Sequence, residues 1–121
     1  MLGLSAAACS QLAPSAMPAK LEKYCVTESG MSQFYMSLDV TAQTGKIRYK
    51  YLGQDVLYDV RSVRADGDKI FGQADFLRAA SGETRGTPLI FSYTPSDDTL
   101  VDGAATANCS NLQDSSMLEL R

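Results

Sequence analysis

No histidine occurs anywhere in the sequence. Its absence removes the commonest general base and the commonest metal ligand at neutral pH, and with them any Ser-His-Asp arrangement. No Ser-x-x-Lys and no glycine-rich phosphate loop is present. The two acidic stretches, Asp66-Gly67-Asp68 and Asp97-Asp98, lack the alternating ligands and terminal glutamate of a calcium loop and read as turns. These gaps lead to the expectation of a protein that is not an enzyme and carries no cofactor and no metal. Tryptophan is also missing. No apolar run approaches the roughly 18 residues of a membrane-spanning helix. Excess positive charge is lacking too: 11 Lys and Arg face 14 Asp and Glu, a net charge of −3. That balance argues against a nucleic-acid partner, which calls for a basic surface. With 121 residues the chain has room for one modest core.

What is present begins with an unusual start. Met1 to Ala8 is entirely apolar or small, and the run ends at Cys9. The stretch LSAAAC resembles the signal of bacterial lipoproteins. The third position before the cysteine, where that family favours leucine, holds Ala6, and no Lys or Arg precedes Lys20. The resemblance implies that residues 1–8 are a signal-peptide remnant whose full form begins upstream, and that Cys9 becomes the lipidated first residue. Ser10 after the cysteine matches the sorting pattern for the outer membrane, which implies a bacterial outer-membrane location facing the periplasm. Residues 9–20, with Pro14 and Pro18 and no periodicity, read as a flexible tether.

Three cysteines leave one over if two pair. Lipidation of Cys9 would absorb the odd one and leave Cys25 and Cys109, near the two ends of the folded region, to form a disulfide. Closing a loop of that length would contribute roughly 4–5 kcal/mol through unfolded-state entropy.

Between them the pattern is one of period two. Phe34, Met36, Leu38 and Val40 alternate with Ser37, Asp39 and Thr41, and Gly45 leads into a second strand over 46–51 with Ile47, Tyr49 and Tyr51 inward. A turn around Gly53 precedes residues 56–63, where adjacent Leu57 and Tyr58 suggest a bulge or burial of both faces. Asp66-Gly67 signals a hairpin into residues 70–77. Leu89, Phe91 and Tyr93 form the next strand, followed by short ones at 99–101 and 104–109. The expected fold is all-β: a single antiparallel meander over 21–110 closed as a small barrel, with a sandwich as the alternative. Residues 111–121 form a tail that either holds one turn at Met117-Leu118 or frays.

Candidate binding residues lie on the expected outer face. Lys46, Arg48 and Lys50, spaced ~7 Å apart along one strand, form a short cationic ladder. Tyr35 falls on the polar face of its strand and reads as an exposed anchor. Asp66, Asp68, Asp97 and Asp98 lie on turns from which they would reach a basic partner.

A small acidic barrel with a lipoprotein-like start, Tyr24-Cys25 near its beginning and a late Cys109 resembles the membrane-bound lysozyme inhibitors of Gram-negative bacteria. The Ser-Gly loop and Tyr/Trp strand of that family have no counterpart; the nearest stretch is Ser62 to Gly67. The leading expectation is therefore a non-enzymatic envelope lipoprotein, held to the membrane by its lipid. It would bind a protein partner or serve as accessory subunit of an envelope complex. Inhibition of a cationic wall hydrolase and binding of a small apolar ligand are the alternatives.

Overall fold

A computed structural model describes residues 18–103 and 105–120. Eight strands follow one another: β1 (Lys20–Thr27), β2 (Ser32–Asp39), β3 (Thr44–Tyr51), β4 (Gln54–Asp66), β5 (Lys69–Ala79), β6 (Leu89–Thr94), β7 (Thr99–Asp102) and β8 (Ala105–Asn111). Each pairs antiparallel with the next, and β8 returns to β1, so the sheet is a closed barrel rather than a sandwich. Closure leaves no sheet edge for another chain to extend. Cys25 stands directly opposite Cys109 in the β1–β8 register, and the two are bonded. The disulfide therefore staples the seam where first and last strands meet.

The alternation read from the sequence sets the two faces. Phe34, Met36 and Leu38 of β2, Ile47 of β3, Ile70 of β5, and Tyr93 and Leu100 of β6 and β7 are all buried in the interior. Both explanations for Leu57-Tyr58 hold. The β4–β5 register shifts between these residues, and both are buried, Tyr58 facing inward against Phe76 and Leu57 facing outward.

Leu57 stands between Arg48 and Arg78, both of which bond the C-terminal segment. One outward row crosses five strands in register: Tyr24, Tyr35, Arg48, Leu57 and Arg78. Of the two readings of the tail, the turn holds: the segment takes one turn at Met117-Leu118 and is bonded back to the barrel, though most of its residues keep contact with solvent. The Leu112 N–H bonds the Glu22 carbonyl at 3.0 Å, the Arg48 guanidinium donates to the Met117 carbonyl at 2.9 Å, and Arg78 donates to the Leu120 carbonyl at 3.3 Å. A 3-10 turn over Ser115–Leu118 is capped by Asp114, whose carboxylate accepts from the Ser116 N–H. Leu120 is buried at the end of this strap.

Antiparallel order gives the barrel two distinct ends. The base carries Lys20 and the turns near 40–43, 67–68 and 95–98; the mouth carries the turns near 28–31, 52–53, 80–88 and Gly103. β1 opens at Lys20, and the Val40 N–H already bonds the Ala19 carbonyl. Cys9, residues 1–8 and the tether up to 17 lie outside the described residues.

Candidate functional site

The base is sealed by a polar network. Lys23 lies on the inward face of β1 with Leu21 and Cys25, and its ammonium sits 3.2 Å from an Asp98 carboxylate oxygen and 3.0 Å from the Asn111 side-chain oxygen. Tyr93, buried, donates its hydroxyl to the same carboxylate. Burial and the Asp98 hydrogen bond push that hydroxyl far above its ordinary pKa. The Cys109 N–H bonds the Asp98 carbonyl as well. Lys23, Asp98, Tyr93 and Asn111 thus satisfy one another in a part-buried cluster whose Asn111 edge faces solvent.

The mouth is different. Its turns raise three large apolar side chains into solvent: Met31 at 45% exposure, Tyr51 at 37% and Leu52 at 67%. Leu52 and Gly53 form the two-residue β3–β4 connection, with φ of 46° and 89°. Two successive positive φ values define the turn whose twist suits a hairpin and which normally takes Asn-Gly. Leucine there costs roughly 1–2 kcal/mol of backbone strain. Two open clefts flank this turn. One, of about 470 Å³, is lined by Leu52–Val56, Phe76 and Arg85 among others; the second, of about 610 Å³, by Ser29–Met31, Lys50 and Tyr51. Leu52 and Gly53 belong to both.

A carboxylate belongs to the same end. Asp102 is the last residue of β7 and shares the inward face with Leu100; its register partner Phe91 is likewise inward. No hydrogen bond or ion pair reaches its carboxyl among the described residues. Loss of solvent raises its pKa. Tyr58 is raised chiefly by its own burial and next by the charge of Asp102, which places the two within each other's field.

Several residues singled out in the sequence lie elsewhere or are already engaged. Tyr35 is not an exposed anchor. It is buried at 8% exposure beside Tyr24, with the Arg48 guanidinium 5.5 Å from its ring centre. Its place in the row crossed by the strap accounts for this. Nor is there a free cationic ladder. β4 sets carboxylates against it: Lys46 pairs Asp59 at 2.9 Å, and Lys50 stands across from Asp55 in the register. Arg48 is buried and grips Asp55 through two bonds of 2.8 and 2.7 Å. That grip lowers the Asp55 pKa. Asp66 pairs with Arg64 at 3.1 Å, Asp97 accepts from Thr99, and Asp98 belongs to the base network. Asp68 is exposed in the β4–β5 turn, at the base and away from the mouth.

Among the described residues no cluster of three or more His, Cys, Asp or Glu side chains is placed to hold a metal ion. Comparison with protein-family models, with curated proteins and with solved structures finds no significant match.

Proposed function

We propose that this chain is a non-enzymatic, lipid-anchored envelope protein whose barrel mouth is a protein-docking surface. The observation that carries the reading is the exposed group Met31, Tyr51 and Leu52 on the mouth turns, with Leu52 held in a backbone conformation that disfavours it. A strained, solvent-exposed leucine has no packing reason to be there, and contact with a partner supplies one. The interior supports a surface site over an internal ligand, since Phe34, Met36, Leu38, Ile47 and Tyr93 occupy it at 2% exposure or less.

Two further observations support the anchored, exported part of the reading. The Cys25–Cys109 disulfide fits an oxidising compartment and leaves Cys9, within LSAAAC, as the single remaining cysteine. Lys20 enters at the base. A tether from Cys9 to that end would direct the mouth away from the membrane surface.

The test is photo-crosslinking in the native host, with the reactive residue at position 52 or, as control, at position 68 on the base. A discrete protein adduct at 52 and none at 68 is the expected result, with Cys9→Ser shifting the protein from the membrane to the soluble fraction. No adduct at 52, or an equal one at 68, overturns the docking surface. A membrane fraction unchanged by Cys9→Ser overturns the anchor. The net charge of −3 keeps the hydrolase-inhibitor reading as the second choice. Inhibition of lysozyme that fades as salt rises would favour it over an accessory subunit.

A further inference from the structure

The barrel interior receives two carboxylates, one near each end, and treats them differently. Asp98 at the base is met by the Lys23 ammonium and the Tyr93 hydroxyl. Asp102 at the mouth is met by no cation and no hydrogen-bond donor among the described residues. Its neighbours in register are Phe91 on β6 and Ala105 on β8. Phe91 offers only a ring, and Ala105 is too short to cover the carboxyl, which stays partly accessible. Tyr58 lies within its field, and the Tyr58 hydroxyl makes no hydrogen bond among the described residues. The mouth's own cations are directed elsewhere. Lys50 faces Asp55 across the β3–β4 hairpin, and Arg85 lines the cleft beside Leu52.

We propose that Asp102 receives a lysine or arginine side chain that the partner protein inserts into the barrel mouth. The proposal rests on the reading of the mouth as a docking surface and names the chemistry of its partner. A carboxylate withdrawn from water without a counter-charge is unfavourable, and an arriving cation removes that penalty on binding. The surroundings suit such a side chain. Its charged head meets the carboxyl, and the rings of Phe91, across from Asp102 in register, and of Tyr58, within the field of the carboxyl, offer apolar surface to its aliphatic stem. The net negative charge of the chain steers a cationic loop toward it.

The experiment uses the full chain carrying Cys9→Ser, with 13C-labelled aspartate and tyrosine observed by NMR. N-acetyl-lysine methylamide and N-acetyl-arginine methylamide are the probes, and N-acetyl-norleucine methylamide is the uncharged control. The cationic probes should shift the Asp102 carboxyl and Tyr58 ring signals saturably. The control should not, and Asp102→Asn should abolish the Tyr58 response. No shift, an equal shift with the control, or an unchanged Tyr58 response in Asp102→Asn overturns the proposal. In the native host, Asp102→Asn should reduce the adduct formed at position 52 by about tenfold or more. An undiminished adduct overturns the role of Asp102 and leaves the docking surface standing. Absence of the adduct in the parent chain overturns the docking surface itself.

Discussion

The two ends of the barrel answer the same physical problem in opposite ways. Each must close off a core of aromatic and aliphatic side chains from water. The base does so with a satisfied cluster of Lys23, Asp98, Tyr93 and Asn111, with Asp66 and Asp97 held by local partners and Asp68 left in solvent. The mouth leaves Met31, Tyr51 and Leu52 in solvent, places leucine where asparagine belongs, and turns Asp102 inward without a counter-charge. A sequence under selection for stability alone would treat both ends like the base. The base turns also hold left-handed residues, Gln43 and Asp98, but these are polar; the left-handed residue at the mouth is an exposed leucine, and that mismatch beside an uncompensated carboxylate is the pattern of a functional site.

The largest effect should come from breaking the base. Asp98→Asn retains a residue that tolerates the φ of 56° at this position, yet removes the charge that holds Lys23. The ammonium and the Tyr93 hydroxyl then lose their anionic acceptor. The expected loss is about 2 kcal/mol, read from the urea midpoint at neutral pH. A change below the error of that measurement would mean that the base network contributes nothing and that the contrast between the ends is false.

The next test relieves the mouth. Leu52→Asn turns the β3–β4 connection into Asn-Gly, the pair this turn prefers. Stability should rise by about 1 kcal/mol as the left-handed leucine is removed. Crosslinking from a neighbouring rim position, Met31, should fall in the same variant. A stabilised chain that still captures its partner from position 31 would show that Leu52 is strained without serving the contact.

How much of this was legible in the sequence follows from the range of the interactions. The strands of the meander, the barrel and the disulfide rest on alternation and cysteine position, both local or countable. Tyr35 and Arg48 were misplaced because alternation alone reads every outward residue as solvated. Their cover is a strap more than 60 residues away in sequence, held through the Met117 carbonyl, a backbone atom that side-chain pattern does not encode. The Arg48–Asp55 pair crosses a hairpin diagonally, so the ladder looked free when only its own strand was read. Leu52 fell in the turn expected around Gly53, but an apolar side chain carries no sign of the left-handed φ that it adopts there. Asp102 had a usable signal: extending the alternation of Leu100 by one period places it inward, but the expected strand stopped at Val101.

The smallest effect is the most diagnostic of the contrast, because the substitution made at Asp98 should have the opposite sign at Asp102. Burial raises the folded-state pKa of Asp102 above that of the unfolded chain. The ionised carboxyl therefore lowers stability, and the cost sets in as pH rises through the folded-state value. Below the unfolded value, near 3.9, the group is protonated in both states and the cost is absent. Asp102→Asn should stabilise the chain by about 0.5–1 kcal/mol at neutral pH, a modest figure because the carboxyl keeps some solvent. The gain should shrink as pH falls and vanish once the unfolded-state carboxyl is protonated. Urea titrations of both proteins at pH 7 and pH 3 measure the difference. Destabilisation at pH 7 would show that Asp102 has a structural partner and that the mouth, like the base, satisfies its own charges.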